Sequence, residues 1–183
     1  MPFPESFPPM ARPFLARPLS ASPALLTLLA AFLFLLAAPM AEAQAQSGLP
    51  IPRFVSLRSG EVNIRTGPGV RYPVDWVFLR KNLPVEIVAE FDTWRRIRDN
   101  EGTEGWVHQS LLSGKRTVIF TAPLASLRRE PRESAPLVAR AEPGVVGELI
   151  ECRPAWCRVR AAGLEGWVQP IEFWGTYPDE KVQ

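Results

Sequence analysis

Trp94-Arg95-Arg96-Ile97-Arg98, followed after a short polar gap by Glu104-Gly105-Trp106-Val107, returns later in the chain as Trp156-Cys157-Arg158-Val159-Arg160 and Glu165-Gly166-Trp167-Val168. A third piece precedes each pair. Val62-Asn63-Ile64-Arg65-Thr66-Gly67-Pro68 matches Ala125-Ser126-Leu127-Arg128-Arg129-Glu130-Pro131. The three pieces keep their order and nearly the same spacing in both copies, so only small insertions separate them. The chain therefore carries one structural unit twice.

Working outward from these pieces, the first copy reads as short strands broken by turns. Thr66-Gly67-Pro68-Gly69 is a turn signal. Residues 73–79 and 85–91 are rich in β-branched and aromatic side chains, with Lys81-Asn82 breaking between them. Residues 94–99 form another run, ended by Asn100-Glu101-Gly102-Thr103, and Gly105-Trp106-Val107 begins the last. Nothing after the leader shows a long, capped helical period. Five short strands per copy point to an all-β architecture of two tandem small barrels. The second copy has diverged: Glu130-Pro131-Arg132 replaces Gly67-Pro68-Gly69, Trp76 has no obvious counterpart, and both cysteines lie there.

The first forty-odd residues read as an address. Arg12 and Arg17 precede an apolar run over residues 24–38, too short for the roughly 20 residues a spanning helix needs. Ala41-Glu42-Ala43 and Ala43-Gln44-Ala45 both have the small-x-small form of a cleavage site. The expected organisation is a signal peptide over 1–43, cleaved near Ala43 or Ala45. A linker over 44–53, a barrel over 54–116, a diverged barrel over 117–177 and a tail over 178–183 follow. An uncleaved segment would tether the protein instead and would be its sole membrane contact. Export follows either way, most simply to a periplasm.

The net charge of the 183-residue chain is +2, too weak to imply nucleic acid. The clusters Arg95-Arg96-Ile97-Arg98 and Arg128-Arg129 have acids beside them (Asp99, Glu101, Glu130) and read as solvated strand faces. Cys152 and Cys157 flank a proline-marked turn in the exported part of the chain, which favours a disulfide across a hairpin. So small a loop is worth about 2 kcal/mol in the chain-entropy model. A metal pair and a nucleophile with a bystander are the alternatives. One distant histidine leaves the two cysteines short of a zinc set.

The pattern Val62 to Gly69, then Trp94 to Arg98, then Glu104 to Val107 resembles the bacterial Src-homology-3-like domain family. The likeness is close in the first copy and looser in the second, and covers residues 54–174. It implies a five- to six-stranded antiparallel barrel working in the cell envelope, often on peptidoglycan stem peptides or partner proteins. Members frequently sit beside a cell-wall hydrolase domain, either a Cys/His peptidase or a zinc amidase. The two barrels account for this chain without one.

The residue inventory argues against catalysis, and no cofactor or metal site is expected. His108 is the lone histidine; Ser110 lies near it without a nucleophile-elbow context. Dispersed carboxylates add no zinc set and no glycosidase pair. Trp94, Trp106, Trp156 and Trp167 recur at equivalent places and are expected in the cores, since large aromatics dominate what a small fold can bury. Gly105 and Gly166 before two of them fit a bulge or a close backbone approach. Aromatics that are not duplicated are the better recognition candidates: Tyr72 and Trp76, with Trp174 and Tyr177 near the C-terminus. Arg65, Arg71, Tyr72 and Trp76 are expected to form one surface, where aromatic walls hold an extended peptide and the arginines pair its carboxylates. A packed Trp76 with solvated arginines is the competing picture. The expected activity is non-catalytic binding of peptidoglycan peptide, with an adaptor docking an envelope protein as the alternative.

Overall fold

In β2 (Val62–Arg65) and β6 (Glu104–His108) the buried residues alternate with exposed or half-exposed ones. A period of two sends Val62, Ile64, Gly105 and Val107 to one side and Asn63, Arg65, Trp106 and His108 to the other. The structure is a computed structural model and describes residues 47–182. The expected leader and its cleavage sites lie outside the described residues.

The first barrel adds β1 (Arg53–Leu57), β3 (Val74–Phe78), β4 (Pro84–Phe91), β5 (Trp94–Arg98) and the two-residue β7 (Leu112–Ser113). Its strands lie in the order β3-β2-β6-β5-β4-β1-β7, and every pairing is antiparallel. The second barrel consists of β8 (Thr117–Phe120), β9 (Ala125–Arg128), β10 (Leu137–Ala141), β11 (Val146–Arg153), β12 (Trp156–Ala161), β13 (Leu164–Val168) and β14 (Phe173–Trp174). Its order, β10-β9-β13-β12-β11-β8-β14, is the same permutation. The bulge between Ile87 and Ala89 in β4 returns between Leu149 and Glu151 in β11.

Each barrel closes on its own apolar cluster. Val55, Leu57, Val62, Ile64, Val85, Ile87, Ile97, Val107 and Leu112 fill the first. Val118, Phe120, Leu127, Leu149, Val159, Val168 and Phe173, with both cysteines, build most of the second. Glycine lets the sheets close: a Cβ on Gly105 would collide with the Ile64 side chain, and one on Gly166 would lie 2.8 Å from Leu127 Cβ. These are the close backbone approaches expected from the two Glu-Gly-Trp-Val pieces.

The turn after β2 keeps its shape although its sequence has changed. Arg65 Nη1 donates to Tyr72 O at 2.8 Å, Gly69 N–H to Gly67 O and Tyr72 N–H to Gly69 O. In the second barrel Arg128 Nη1 donates to Ala135 O at 2.8 Å, Arg132 N–H to Glu130 O and Ala135 N–H to Arg132 O. Backbone bonds and one arginine define this loop; a Cβ on Gly67 would collide with the Tyr72 ring, and the second copy carries Glu130 there with Ala135 in place of Tyr72.

The barrels meet mainly through β14, the residues after it and Arg116, with Arg80 donating to Gly144 O besides. The Phe54 ring packs edge-on against Trp174 at 4.8 Å and, tilted, against Tyr177 at 4.7 Å. Tyr177 O–H donates to Glu86 Oε1 at 2.7 Å, and Arg98 holds Glu86 Oε2 at 2.6 Å. Arg116 pairs with Glu180 at 2.6 Å and donates to Gly175 O. Burial and the bond to Glu86 push the Tyr177 phenol well above its ordinary pKa. Burial pushes the Glu180 carboxyl up, but the Arg116 hydrogen bond, the Tyr177 N–H and the Arg116 charge leave it below its ordinary value.

Candidate ligand cleft on the first barrel

The outward residues of β2, β5 and β6 meet on one side of the first barrel. There Glu61, Asn63, Arg65, Val70, Trp94, His108 and Leu111 line an open cleft of about 270 Å³. Asn63 and Arg65 come from alternate positions of β2. Trp94 and His108 face each other across the β5–β6 register, their rings edge to face at 5.6 Å. Val70, 79% exposed, forms one lip, and Leu111 comes from the 3-10 turn Gln109–Leu111 that leads into β7.

His108 caps that turn. Its Nδ1 accepts the Ser110 backbone N–H at 3.3 Å and lies 2.8 Å from Ser110 Oγ. A backbone N–H can only donate, so Nδ1 is the acceptor and the neutral ring carries its proton on Nε2. The His–Ser contact is thus a turn cap, with the hydroxyl free to donate to the same nitrogen. Arg65 spends Nη1 on Val70 O and Tyr72 O and keeps its Nε–H and second amino group for other partners. Among the described residues no group of three or more His, Cys, Asp or Glu could hold a metal ion.

Three of the four residues expected to form one surface lie together. Arg71 stacks over the Tyr72 ring at 5.2 Å, and Tyr72 packs against Gly67 beneath the loop that Arg65 ties. Trp76 is separated from them. It pairs in register with Ile64, whereas Arg65 pairs with Val74, so the two face opposite sides of the ribbon. Trp76 is 57% exposed and belongs to the edge strand β3, with Val74, Val77 and Leu79 exposed beside it. Trp174 and Tyr177, the other unduplicated aromatics, are engaged at the joint between the barrels.

The expectation of four core tryptophans needs correction. Only Trp167 is buried, at 8% exposure; Trp94, Trp106 and Trp156 are half-buried on the outer faces. Alternation is the reason. Ile97 and Val107 take the inward positions, which turns Trp94 and Trp106 outward. Trp167 owes its burial to Arg153 and Arg158, whose guanidinium groups lie 4.8 and 6.0 Å from its ring. Sequence reading also missed Asn63, His108 and Glu61 as lining residues.

In the second barrel Ser126, Arg128, Trp156 and Gln169 occupy the places of Asn63, Arg65, Trp94 and His108 by register. There the equivalent polar groups are engaged with one another. Gln169 Nε2 donates to Glu133 Oε1 at 3.4 Å, and Glu172 accepts from the Ser126 and Gln169 backbone N–H groups. The disulfide Cys152–Cys157 is present and closes the β11–β12 hairpin.

The family model described as "Bacterial SH3 domain" matches residues 58–114 and again 121–175. The chain belongs to the bacterial SH3 domain family, in two tandem copies. YrvJ of Bacillus subtilis (strain 168), named for an N-acetylmuramoyl-L-alanine amidase activity, is 24% identical over 123 residues. That match takes in 61% of this chain, which spans only 24% of YrvJ. Solved structures with likeness to the tandem SH3 domains include NlpC2 of Trichomonas vaginalis, with a TM-score of 0.32 and 11% identity over 70% of this chain and 50% of that one. An NlpC/P60 family protein of Bacillus cereus gives a TM-score of 0.31 and 13% identity, over 71% of this chain and 58% of that one. Among the described residues no helix is long and apolar enough to cross a membrane.

Proposed function

We propose that this protein is an exported, non-catalytic module of the cell envelope that binds peptidoglycan stem peptide in the cleft of its first barrel. The observation that carries the reading is the cleft itself: an aromatic wall, a free guanidinium edge, an amide and an Nε2–H donor converge on one open groove. At about 270 Å³ it lies just under the ~300 Å³ at which small-molecule pockets begin, and suits one or two residues of an extended peptide. Stem peptides offer carboxylates and amides to such donors. YrvJ is named for an N-acetylmuramoyl-L-alanine amidase activity, which fits a wall peptide as ligand. The apolar run over residues 24–38 supports export, with the periplasm as destination. In this reading the second barrel supports the first.

Co-sedimentation with purified sacculi tests this. Saturable pelleting, lost in an Asn63→Ala/Trp94→Ala variant and kept in Trp156→Ala, is the expected result. An absence of pelleting at micromolar protein sinks the wall reading. Weight then moves to an adaptor that docks an envelope protein, favoured by the exposed apolar edge strand Val74–Phe78, which has a free edge for a partner strand.

A further inference from the structure

Glu61 stands at the cleft with its carboxylate exposed, and among the described residues it makes no hydrogen bond or ion pair. Most other carboxylates on this barrel are engaged. Glu86 holds Arg98 and Tyr177, Glu90 holds Arg53 and Arg95, and Glu104 holds Arg96. Lining the same cleft, beyond His108, is the indole of Trp94, half-exposed, whose π-face is the best side-chain partner for a cation. The remaining groups are donors: the Nε–H and second amino group of Arg65, the amide of Asn63 and the Nε2–H of His108. The cleft therefore has an acceptor with an aromatic face, and a set of donors suited to a carboxylate.

We infer that the cleft recognises a peptide bearing a free ammonium group together with a carboxylate, the ammonium held by Glu61 over Trp94 and the carboxylate by Arg65 and His108. This rests on the reading that the cleft binds wall peptide and deepens it. The side-chain amine of a stem peptide's diamino acid is an ammonium only while it is not cross-linked. Once acylated it is a neutral amide that neither pairs with Glu61 nor makes a cation–π contact. The module thus reads uncross-linked peptide in preference to cross-linked. The second barrel lacks the acceptor: Leu124 stands where Glu61 does, one residue before its strand, and Glu133 is held by Gln169.

The test is calorimetric titration of the whole protein with a soluble stem tripeptide, acylated at its N-terminus as in the wall, that ends in a diamino acid. The same peptide acetylated on its side-chain amine runs alongside, each against wild type and Glu61→Gln. The expected result is binding of the free amine at least about tenfold tighter than of the acetylated peptide, with the difference erased in Glu61→Gln. Equal affinity for both peptides overturns the ammonium assignment and leaves wall-peptide binding in place. Failure of both peptides while sacculi still pellet the protein also overturns it, since the wall is then held by another feature. Failure of both peptides and of sacculi overturns both readings. Glu61 is exposed and packs against no core residue, so Glu61→Gln is expected to fold as wild type.

Discussion

The two barrels solve one local problem with different chemistry. At the mouth of the β4–β5 hairpin Glu90 pairs in register with Arg95; at the same place in the second barrel Cys152 pairs with Cys157. The Glu90 side chain is 1% exposed and that of Arg95 7%, so the charged groups form a buried ion pair, and Arg53 joins it at 2.6 Å. Arg95 also donates to Asp92 O, Trp94 O and Gln109 Oε1, which satisfies most of its guanidinium. A hairpin end pointing into the barrel needs either a fully bonded charge network or a covalent staple. The difference teaches that the networked barrel carries an open cleft on its outer face, while in the stapled one Gln169, at the place of His108, is bonded to Glu133.

Breaking the staples one at a time should separate the two solutions. The largest effect is expected from Glu90→Ala, which leaves Arg95 and Arg53 without their counter-charge. Removing one member of a buried pair costs about 3–5 kcal/mol, enough to unfold the first barrel at moderate temperature in a calorimetric melt. Glu90→Cys with Arg95→Cys sharpens the comparison, since the register is that of the second barrel's disulfide. Oxidised, this variant should recover much of the loss, and reducing agent should remove the recovery.

Next comes the disulfide. Cys152→Ala with Cys157→Ala should lower the second barrel's stability by about 2 kcal/mol while the first barrel's melt is unchanged. An acid titration then distinguishes the barrels without mutation. Burial pushes the Glu90 carboxyl up, but hydrogen bonds from Arg53 and from the Ser47 N–H and hydroxyl, with the Arg53 charge, bring it below its ordinary value of 4.5. A depressed carboxylate contributes stability that is full above the unfolded pKa and is lost as the pH falls through the folded one. The first barrel should therefore soften below about pH 4.5, by circular dichroism melts, and wild type should lose more there than Glu90→Gln.

The smallest effect is expected at the joint. Tyr177→Phe removes one hydrogen bond to Glu86 and should cost about 1 kcal/mol. Because the folded phenol titrates above its ordinary value, the contribution it makes is full below pH about 10 and declines as pH rises beyond it. Wild type, and not Tyr177→Phe, should show that alkaline loss in an equilibrium denaturation series.

The repeated pieces made the fold legible, because W-x-R-[IV]-R and E-G-W-V are strand patterns with their turns attached. Strand positions followed closely, and the two-residue strands β7 and β14 escaped notice because nothing in Leu112-Ser113 or Phe173-Trp174 alternates. The outward turn of Trp94 and Trp106 was also legible. Ile97 lies three residues from Trp94 and Val107 beside Trp106, so each tryptophan must face away from the aliphatic that fills the core. Size was given more weight than period, and the core assignment followed from that. Trp76 could not be placed from sequence, because its face depends on the bulge between Ile64 and Arg65. The cleft draws on β2, β5, β6 and the loop at Val70, and only closure of the barrel brings them together. Arg65 stands out by its pairing chemistry; Glu61, Asn63 and His108 carry no local signal.

The central claim is that binding belongs to the open cleft of the first barrel. Backbone amide and indole N–H shifts of the isotope-labelled protein, followed during titration with muropeptides released from sacculi, test it most directly. The account expects saturable shifts at Asn63, Arg65, Trp94 and His108, with Ser126, Arg128, Trp156 and Gln169 unmoved. Shifts confined to the second barrel or to the β3 edge around Trp76, or none at all, would contradict it.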